Sequence, residues 1–349
     1  MDNKLNYSFF TLKYNESFLE KLGSVKLLDA HYMFLLTPFS FIGFILNLVS
    51  LRILLMIKEK ESITYYKYLR VYCVISSIIC FIYQFSFICF APRYHNFYLS
   101  YFARFYRTYM VGHFGTTLYF VVNTLDICLA FERFAMFNKK YRKHNNHFWF
   151  IIFMVILLCF IVNLPSWLAL YPITDKELYL KILSNSSYIN LSSRTRFAQT
   201  FFGKITILIS VFIREFVSLL IELILLVITV IKFRLKIKNT TKATTKTIKY
   251  VRVNINDAEV NRIKSKRNFT LLTICLMFMS FITHFVVFFV FIMFYVRGYV
   301  SDYYRYSATL SIVFKNFSNF FIFYFFNKKF RAILSHKKIR NDDIIIVRI

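Results

Sequence analysis

The chain has 349 residues, of which 58% are hydrophobic, and its mean hydropathy is +0.52. Phe occurs 45 times, whereas Gly occurs 6 times and Pro 4 times, so the composition excludes a soluble globular protein and predicts a membrane protein. At about 20 residues for each membrane span, this length suffices for roughly seven helices, with no further soluble domain of ordinary size.

The net charge of +28 is concentrated beside the apolar segments. Most basic residues fall in the connections on one side of the predicted membrane, and one connection, 232–267, holds twelve of them. This is the positive-inside pattern, which predicts an extracellular N-terminus in the plasma membrane and contact with anionic inner-leaflet lipid. Basic residues that flank apolar spans argue against a nucleic-acid partner, which needs a soluble basic face.

The hydropathy pattern predicts an all-α membrane protein, a seven-transmembrane helix bundle. Residues 1–30 form an extracellular N-terminal segment, 31–336 the seven-helix domain and 337–349 a cytoplasmic tail. The spans are predicted at about 33–57, 68–91, 108–134, 148–170, 205–231, 269–296 and 303–326. After span seven, alternating basic and apolar residues predict a short amphipathic helix on the inner leaflet at about 328–336.

Glycosylation sequons occur in the segments predicted to lie outside. The N-terminal segment lacks the pattern of a cleaved signal peptide, and the longest outer connection follows span four. The predicted acceptors are Asn6, Asn15, Asn185 and Asn190.

Polar residues inside the spans mark the faces that turn into the bundle, because a polar group in lipid must find a partner on a neighbouring helix. The predicted bundle network consists of Asn47, Ser77, Asn123, Asp126 and Lys315. Span five also holds Arg214, Glu215 and Glu222, which are costly in lipid and should face the bundle or a wet cavity. His284 in span six has two interpretations, a hydrogen-bonded bundle histidine or a ligand contact.

The six cysteines all fall within apolar segments, so no structural disulfide and no metal site are predicted. The seven histidines do not cluster with Asp or Cys in the way a membrane-embedded enzyme requires, and no catalytic residue or cofactor is predicted.

The chain resembles a rhodopsin-type (class A) G-protein-coupled receptor in its seven spans, in Asn47 of span one, and in Glu132, Arg133 and Phe134 at the inner end of span three. The stretch from Asn319 to Arg331, NFFIFYFFNKKFR, adds to this resemblance over nearly the whole chain. Phe320 follows Asn319 at the position where the family usually has Pro. In this feature the chain is similar to invertebrate FMRFamide and neuropeptide receptors, where Phe also replaces the usual Pro.

The resemblance implies that Glu132 restrains Arg133 at rest, and that Arg133 meets a heterotrimeric G protein when span six swings out. The resemblance also assigns Phe134, Asn319 and Phe323 to this switch. Independently, an arginine at a membrane edge can pair locally or donate to a partner's carbonyls when a cavity opens. The alternative interpretation is that the Glu-Arg pair at this helix end serves only as an interfacial anchor.

Several features depart from the resembled family. Ser77 stands where the family has a sodium-binding acid, and neither the top of span three nor the second outer connection has the usual cysteine. We therefore expect that connection to be held by non-covalent contacts or to be less constrained. Spans five and six lack the usual prolines, so kinks there must have another origin or be smaller.

Asp126 and Lys315 are mid-span charges of opposite sign on helices that the family packs together, and we expect a buried ion pair. The competing interpretation is that Lys315 contacts a ligand carboxylate.

The ligand is expected to be a neuropeptide, bound near Arg214, Glu215 and His284 beneath a basic outer surface that includes Arg104. A chemosensory receptor for small external molecules is the alternative within this class. A membrane transporter or channel is the alternative from another class, because it too would explain charges in spans five and seven.

Overall fold

The computed structural model confirms an all-α, seven-helix architecture. It describes residues 32–57, 63–85, 100–137, 147–174, 177, 192–250, 257–297 and 302–335. Within these ranges, seven helices are long and apolar enough to cross a membrane, which indicates a multi-pass membrane protein.

The helices follow the seven predicted spans in chain order. Span one begins with a π-helical turn, Tyr32–Leu36, and continues as Thr37–Met56, and span two is Ile63–Gln84. Span three is built from Tyr101–Phe105, a π-helical part Tyr106–Gly115, and Thr116–Phe137. Span four is Phe148–Ala169. Span five joins Phe201–Val211, a π-helical part Phe212–Val217 and Ser218–Tyr250. Span six is Asp257–Arg297 and span seven is Asp302–Phe326.

The predicted helix limits differ from the structure in spans two, three, five and six. Span two begins five residues before the predicted Tyr68, and span three begins at Tyr101, ahead of the predicted Thr108. Spans five and six continue into the basic connection between them, so that span five ends at Tyr250 and span six begins at Asp257. These extensions are polar, so hydropathy alone places the helix ends too close to the membrane.

Span three lies at the centre of the bundle and packs against spans two, four, five and six. Span seven closes the other side against spans one, two and six. In span four, for example, Ile152, Cys159 and Asn163 share one buried face at helical spacing. The large apolar residues on the opposite faces, such as Phe150, Leu158 and Ile161, are exposed and suit contact with lipid.

The π-helical parts of spans three and five supply irregularity without proline. A π turn widens the helix and often occurs at functional sites. In span five it contains the adjacent residues Arg214 and Glu215, which both turn toward the bundle.

Smaller elements lie at the two ends of the bundle. At one end of the bundle, which we call the Arg104 end, strand β1 (Leu170–Pro172) pairs antiparallel with strand β2 (Ser192–Arg194). At the opposite end, the Glu132 end, the short helix Lys328–Leu334 follows span seven in place of the predicted 328–336. Asn327 caps this helix, because its side-chain oxygen accepts a hydrogen bond from the Phe330 amide at 3.1 Å.

Candidate functional site

Lys315 and Asp126 form a buried ion pair between spans seven and three, as the sequence predicts. The distance between Lys315 Nζ and Asp126 Oδ2 is 2.7 Å, and each side chain is only 1% exposed. Lys315 Nζ also donates to Asn123 Oδ1 at 2.6 Å and to Ser280 Oγ at 2.9 Å. These three acceptors use all three ammonium protons, so this conformation leaves none for the ligand carboxylate of the competing interpretation.

The ion pair continues into spans five and six through Ser280. Its hydroxyl accepts from Lys315 and donates to Glu222 Oε1 at 2.8 Å. His284, one turn further along span six, lies between two glutamates of span five. Its Nε2 is 3.6 Å from Glu222 Oε1, and its Nδ1 is 3.4 Å from Glu215 Oε2. Spans three, five, six and seven are thus joined in one polar cluster.

Arg214 extends the cluster to span four. Its Nε is 2.6 Å from Glu215 Oε1, and a terminal guanidinium nitrogen donates to Asn163 Oδ1 at 2.9 Å. The complete series of contacts, which we call the polar chain, links five spans. Its members are Asp126, Asn123, Lys315, Ser280, Glu222, His284, Glu215, Arg214 and Asn163.

Helical spacing explains why these side chains meet. In span three, Asn123 and Asp126 share a face with Tyr119, since they follow it by four and seven residues. Glu215 and Glu222 are likewise seven residues apart in span five, which separates them by about 10 Å along the helix. The Tyr119 ring lies beside two members of the polar chain, 5.3 Å from the His284 ring and 5.9 Å from Lys315 Nζ. This ring covers the polar chain on the span-three side.

The predicted ligand contacts Arg214, Glu215 and His284 are therefore brought together, but by contact with one another. Glu215 and His284 are fully buried, while the Arg214 side chain is 12% exposed. In this conformation they act as packing partners between spans four, five and six. Their role as ligand contacts remains a prediction.

A second group of hydrogen bonds connects span seven to spans one and two. Asn47 donates to the Asn316 carbonyl at 2.9 Å, which is the partner on a neighbouring helix that the sequence requires. Asn319 contacts Tyr72 and Ser76 of span two, each at 3.4 Å. Ser77 instead donates to the Cys73 carbonyl of its own helix at 2.8 Å, so this hydrogen bond does not join two helices.

At the Glu132 end, span seven is packed onto the short helix that follows it. Phe323 and Phe330 are both fully buried, with ring centroids 6.0 Å apart. In span three, the Phe134 ring lies 6.4 Å from Phe131. The Arg133 side chain lies outside the described residues, so the predicted restraint by Glu132 stays a prediction.

At the Arg104 end, a buried arginine holds the connection after span four. Arg104 Nη1 donates to the Ile173 carbonyl at 2.5 Å, next to strand β1, and Arg104 Nε donates to the Ser100 carbonyl at 3.3 Å. The expected non-covalent attachment of this connection is thus present. Assigning Arg104 to an exposed basic surface was wrong, because its side chain is fully buried, whereas Arg194 and Arg196 are exposed.

Three further sequence predictions concern glycosylation, the cysteines and metal binding. Asn6, Asn15, Asn185 and Asn190 lie outside the described residues, as do the segments 1–30 and 337–349. Five cysteines lie in the described part of the chain, and all five are free thiols. The described residues contain no group of three or more His, Cys, Asp or Glu side chains placed to hold a metal ion.

The structure adds members that the predicted bundle network left out, namely Glu222, Ser280 and Asn163. The sequence contains part of the information needed to predict these members. Ser280 and His284 are four residues apart on one helical face, as are Asn163 and Cys159. Comparison with known proteins adds no assignment, since no protein-family model and no curated protein matches this chain.

Proposed function

We propose that the chain is a G-protein-coupled receptor that converts binding of an extracellular ligand into activation of a heterotrimeric G protein. The observation that carries this proposal is the polar chain, which joins spans three, five, six and seven through buried polar contacts. Such contacts stabilise one arrangement of the helices, and a ligand that prefers another arrangement shifts the equilibrium between the two.

The proposed orientation puts the Glu132 end in the cytoplasm. The basic connection between spans five and six and the basic residues Lys328, Lys329 and Arg331 all belong to this end. Their charge favours the cytoplasmic side, where they also meet anionic lipid of the plasma membrane. The N-terminus is then extracellular, and an epitope tag placed there is accessible to antibody on intact cells. A tag detected only after permeabilisation contradicts this orientation.

The proposed ligand is a neuropeptide that binds from the Arg104 end. The exposed Arg194 ends strand β2 at this end, and the exposed Arg196 lies two residues beyond it; both suit an acidic side chain or a C-terminal carboxylate of a peptide. Beneath them, Arg214 belongs to the polar chain and keeps a 12% exposed side chain. A peptide that reaches Arg214 competes with Glu215 and Asn163 for its guanidinium group, which provides a route from ligand to helix packing.

In the proposed switch, Arg133 leaves its local partner and donates to carbonyls of the G protein when span six moves outward. The test is ligand-independent signalling in cells that overexpress the chain with a promiscuous G protein. Arg133→Ala should abolish the signal at equal surface expression. Arg52→Ala is the matched control, because Arg52 is an exposed arginine of span one near the Glu132 end of the bundle. Equal signals from Arg133→Ala and the wild type contradict the switch.

A peptide-library screen in the same cells identifies the ligand. If a receptor with good surface expression responds to no peptide but does respond to small external molecules, the chemosensory alternative is favoured. The buried charges also favour a second candidate, a transporter or channel, because ionisable residues within a bundle mark ion and proton pathways. Substrate flux without a G-protein response supports that candidate.

A further inference from the structure

His284 is enclosed by charged groups from every helix that packs against it. Span five presents Glu215 and Glu222 to its two ring nitrogens, at 3.4 Å and 3.6 Å, with Arg214 beyond Glu215. Span three contributes the Tyr119 ring at 5.3 Å and Asp126. Span seven contributes Lys315, which is bound to Asp126, and span six itself contributes Ser280, which is bound to Glu222.

The chemistry of imidazole limits how this arrangement can be protonated. A neutral histidine has one N–H group, so it can direct a proton toward only one of two flanking carboxylates. The other nitrogen then presents its lone pair to the second carboxylate, which is repulsive in a site without exposure to solvent. Both contacts become favourable only if His284 is an imidazolium, or if one glutamate carries a proton and donates it to the ring.

The charge balance of the polar chain leads to the same requirement. Lys315 pairs with Asp126, and Arg214 pairs with Glu215. Among the described residues, no lysine or arginine forms an ion pair with Glu222, whose side chain is fully buried. An unpaired carboxylate inside a membrane bundle is strongly unfavourable, and one additional proton neutralises the whole cluster.

We propose that Glu215, His284 and Glu222 form a proton-binding site that holds one proton more than two carboxylates and a neutral imidazole would carry. The ligand of this site is the proton itself, and the site joins span five to span six. Movement of span six away from span five separates the imidazole from both carboxylates. The separated groups then bind the additional proton less tightly. By linkage, proton binding stabilises the packed arrangement, and the separated arrangement releases the proton.

The sign of the pH dependence follows from proton counting. Above about pH 6.5, an exposed histidine is neutral and exposed carboxylates are ionised. The packed protein then binds one more proton than the unfolded protein, so its stability falls as pH rises. One proton corresponds to a change of up to about tenfold in the folding constant for each pH unit.

The test uses the full chain in lipid nanodiscs, with ¹⁵N-labelled histidine for NMR and with infrared detection of protonated carboxyl groups. At pH 8, we expect either an imidazolium signal that disappears in His284→Gln or a protonated-carboxyl band that disappears in Glu222→Gln. The matched control is His147→Gln, which changes an exposed histidine at the start of span four and should leave both signals unchanged.

Thermal unfolding between pH 6.5 and pH 8.5 provides the second measurement. The wild type and His147→Gln should lose stability with rising pH, and Glu222→Gln should show a flatter dependence. If the variants do not fold, the wild-type spectra decide, because the proposal requires an imidazolium or a protonated carboxyl at pH 8. Neutral signals for every histidine without a protonated-carboxyl band overturn it, and so does an equal pH dependence in Glu222→Gln and the wild type. These outcomes do not depend on whether the chain activates a G protein.

Discussion

Replacing Lys315 with methionine should destabilise the protein by about 3–5 kcal/mol, because it leaves the buried Asp126 carboxylate without its partner. Replacing Asp126 with leucine should cost a similar amount, since the ammonium group then lacks a counter-charge. If each change acted independently, the double variant would lose roughly 6–10 kcal/mol, the sum of the two breaks.

The double variant Asp126→Leu with Lys315→Met should instead lose less than about 2 kcal/mol, because apolar residues of similar size can replace a buried ion pair. The remaining loss comes from Asn123 and Ser280, which each give up one contact worth about 1 kcal/mol. The resulting coupling energy is at least about 4 kcal/mol.

The assay is the free energy of unfolding of the purified chain in lipid nanodiscs for the wild type, both single variants and the double variant. Lys204→Met is the matched control, because Lys204 is exposed and its replacement should change stability by less than about 0.5 kcal/mol. A double variant that loses the full sum of the single effects refutes the buried pair. Independently, the charge swap Asp126→Lys with Lys315→Asp should express better than either single variant.

Three further predictions concern contacts outside the polar chain. Arg104→Ala should destabilise the protein by about 2–3 kcal/mol and speed hydrogen exchange near Ile173, whereas unchanged exchange contradicts its holding role. Asn47→Ala should cost about 1 kcal/mol in unfolding free energy, and Ser77→Ala, which breaks a bond within one helix, less than about 0.5 kcal/mol; equal effects contradict this distinction. Phe330→Ala should cost about 3–5 kcal/mol and increase protease cleavage after span seven, and no change in cleavage contradicts the packing on Phe323.

Hydropathy predicts the seven helices because lipid requires long apolar segments with internally satisfied backbones. It does not predict where the helices end, since Asp257 and Tyr250 lie in polar extensions that are helical for local reasons. Nor does it reveal the π-helical part of span five, because the residues Phe212–Val217 carry no proline or glycine to mark it.

The sequence predicts the Asp126–Lys315 pair because each charge needs a partner in lipid and the resemblance places the two helices together. It does not predict that Ser280 and Glu222 connect this pair to His284, since that depends on the rotation of three helices relative to one another. The position of Arg104 is harder still to predict, because its partner Ile173 is 69 residues away along the chain and offers only a backbone carbonyl.

In the proposed mechanism, the polar chain holds span six in its resting position, and its release activates a G protein. The most direct measurement is ligand-independent G-protein activation by Lys315→Met, compared with the wild type at matched surface expression. We predict a higher signal from Lys315→Met, because Ser280 of span six loses its contact with span seven, and we predict that adding Arg133→Ala abolishes it. A Lys315→Met signal no higher than that of the wild type, or one that persists with Arg133→Ala, contradicts the claim.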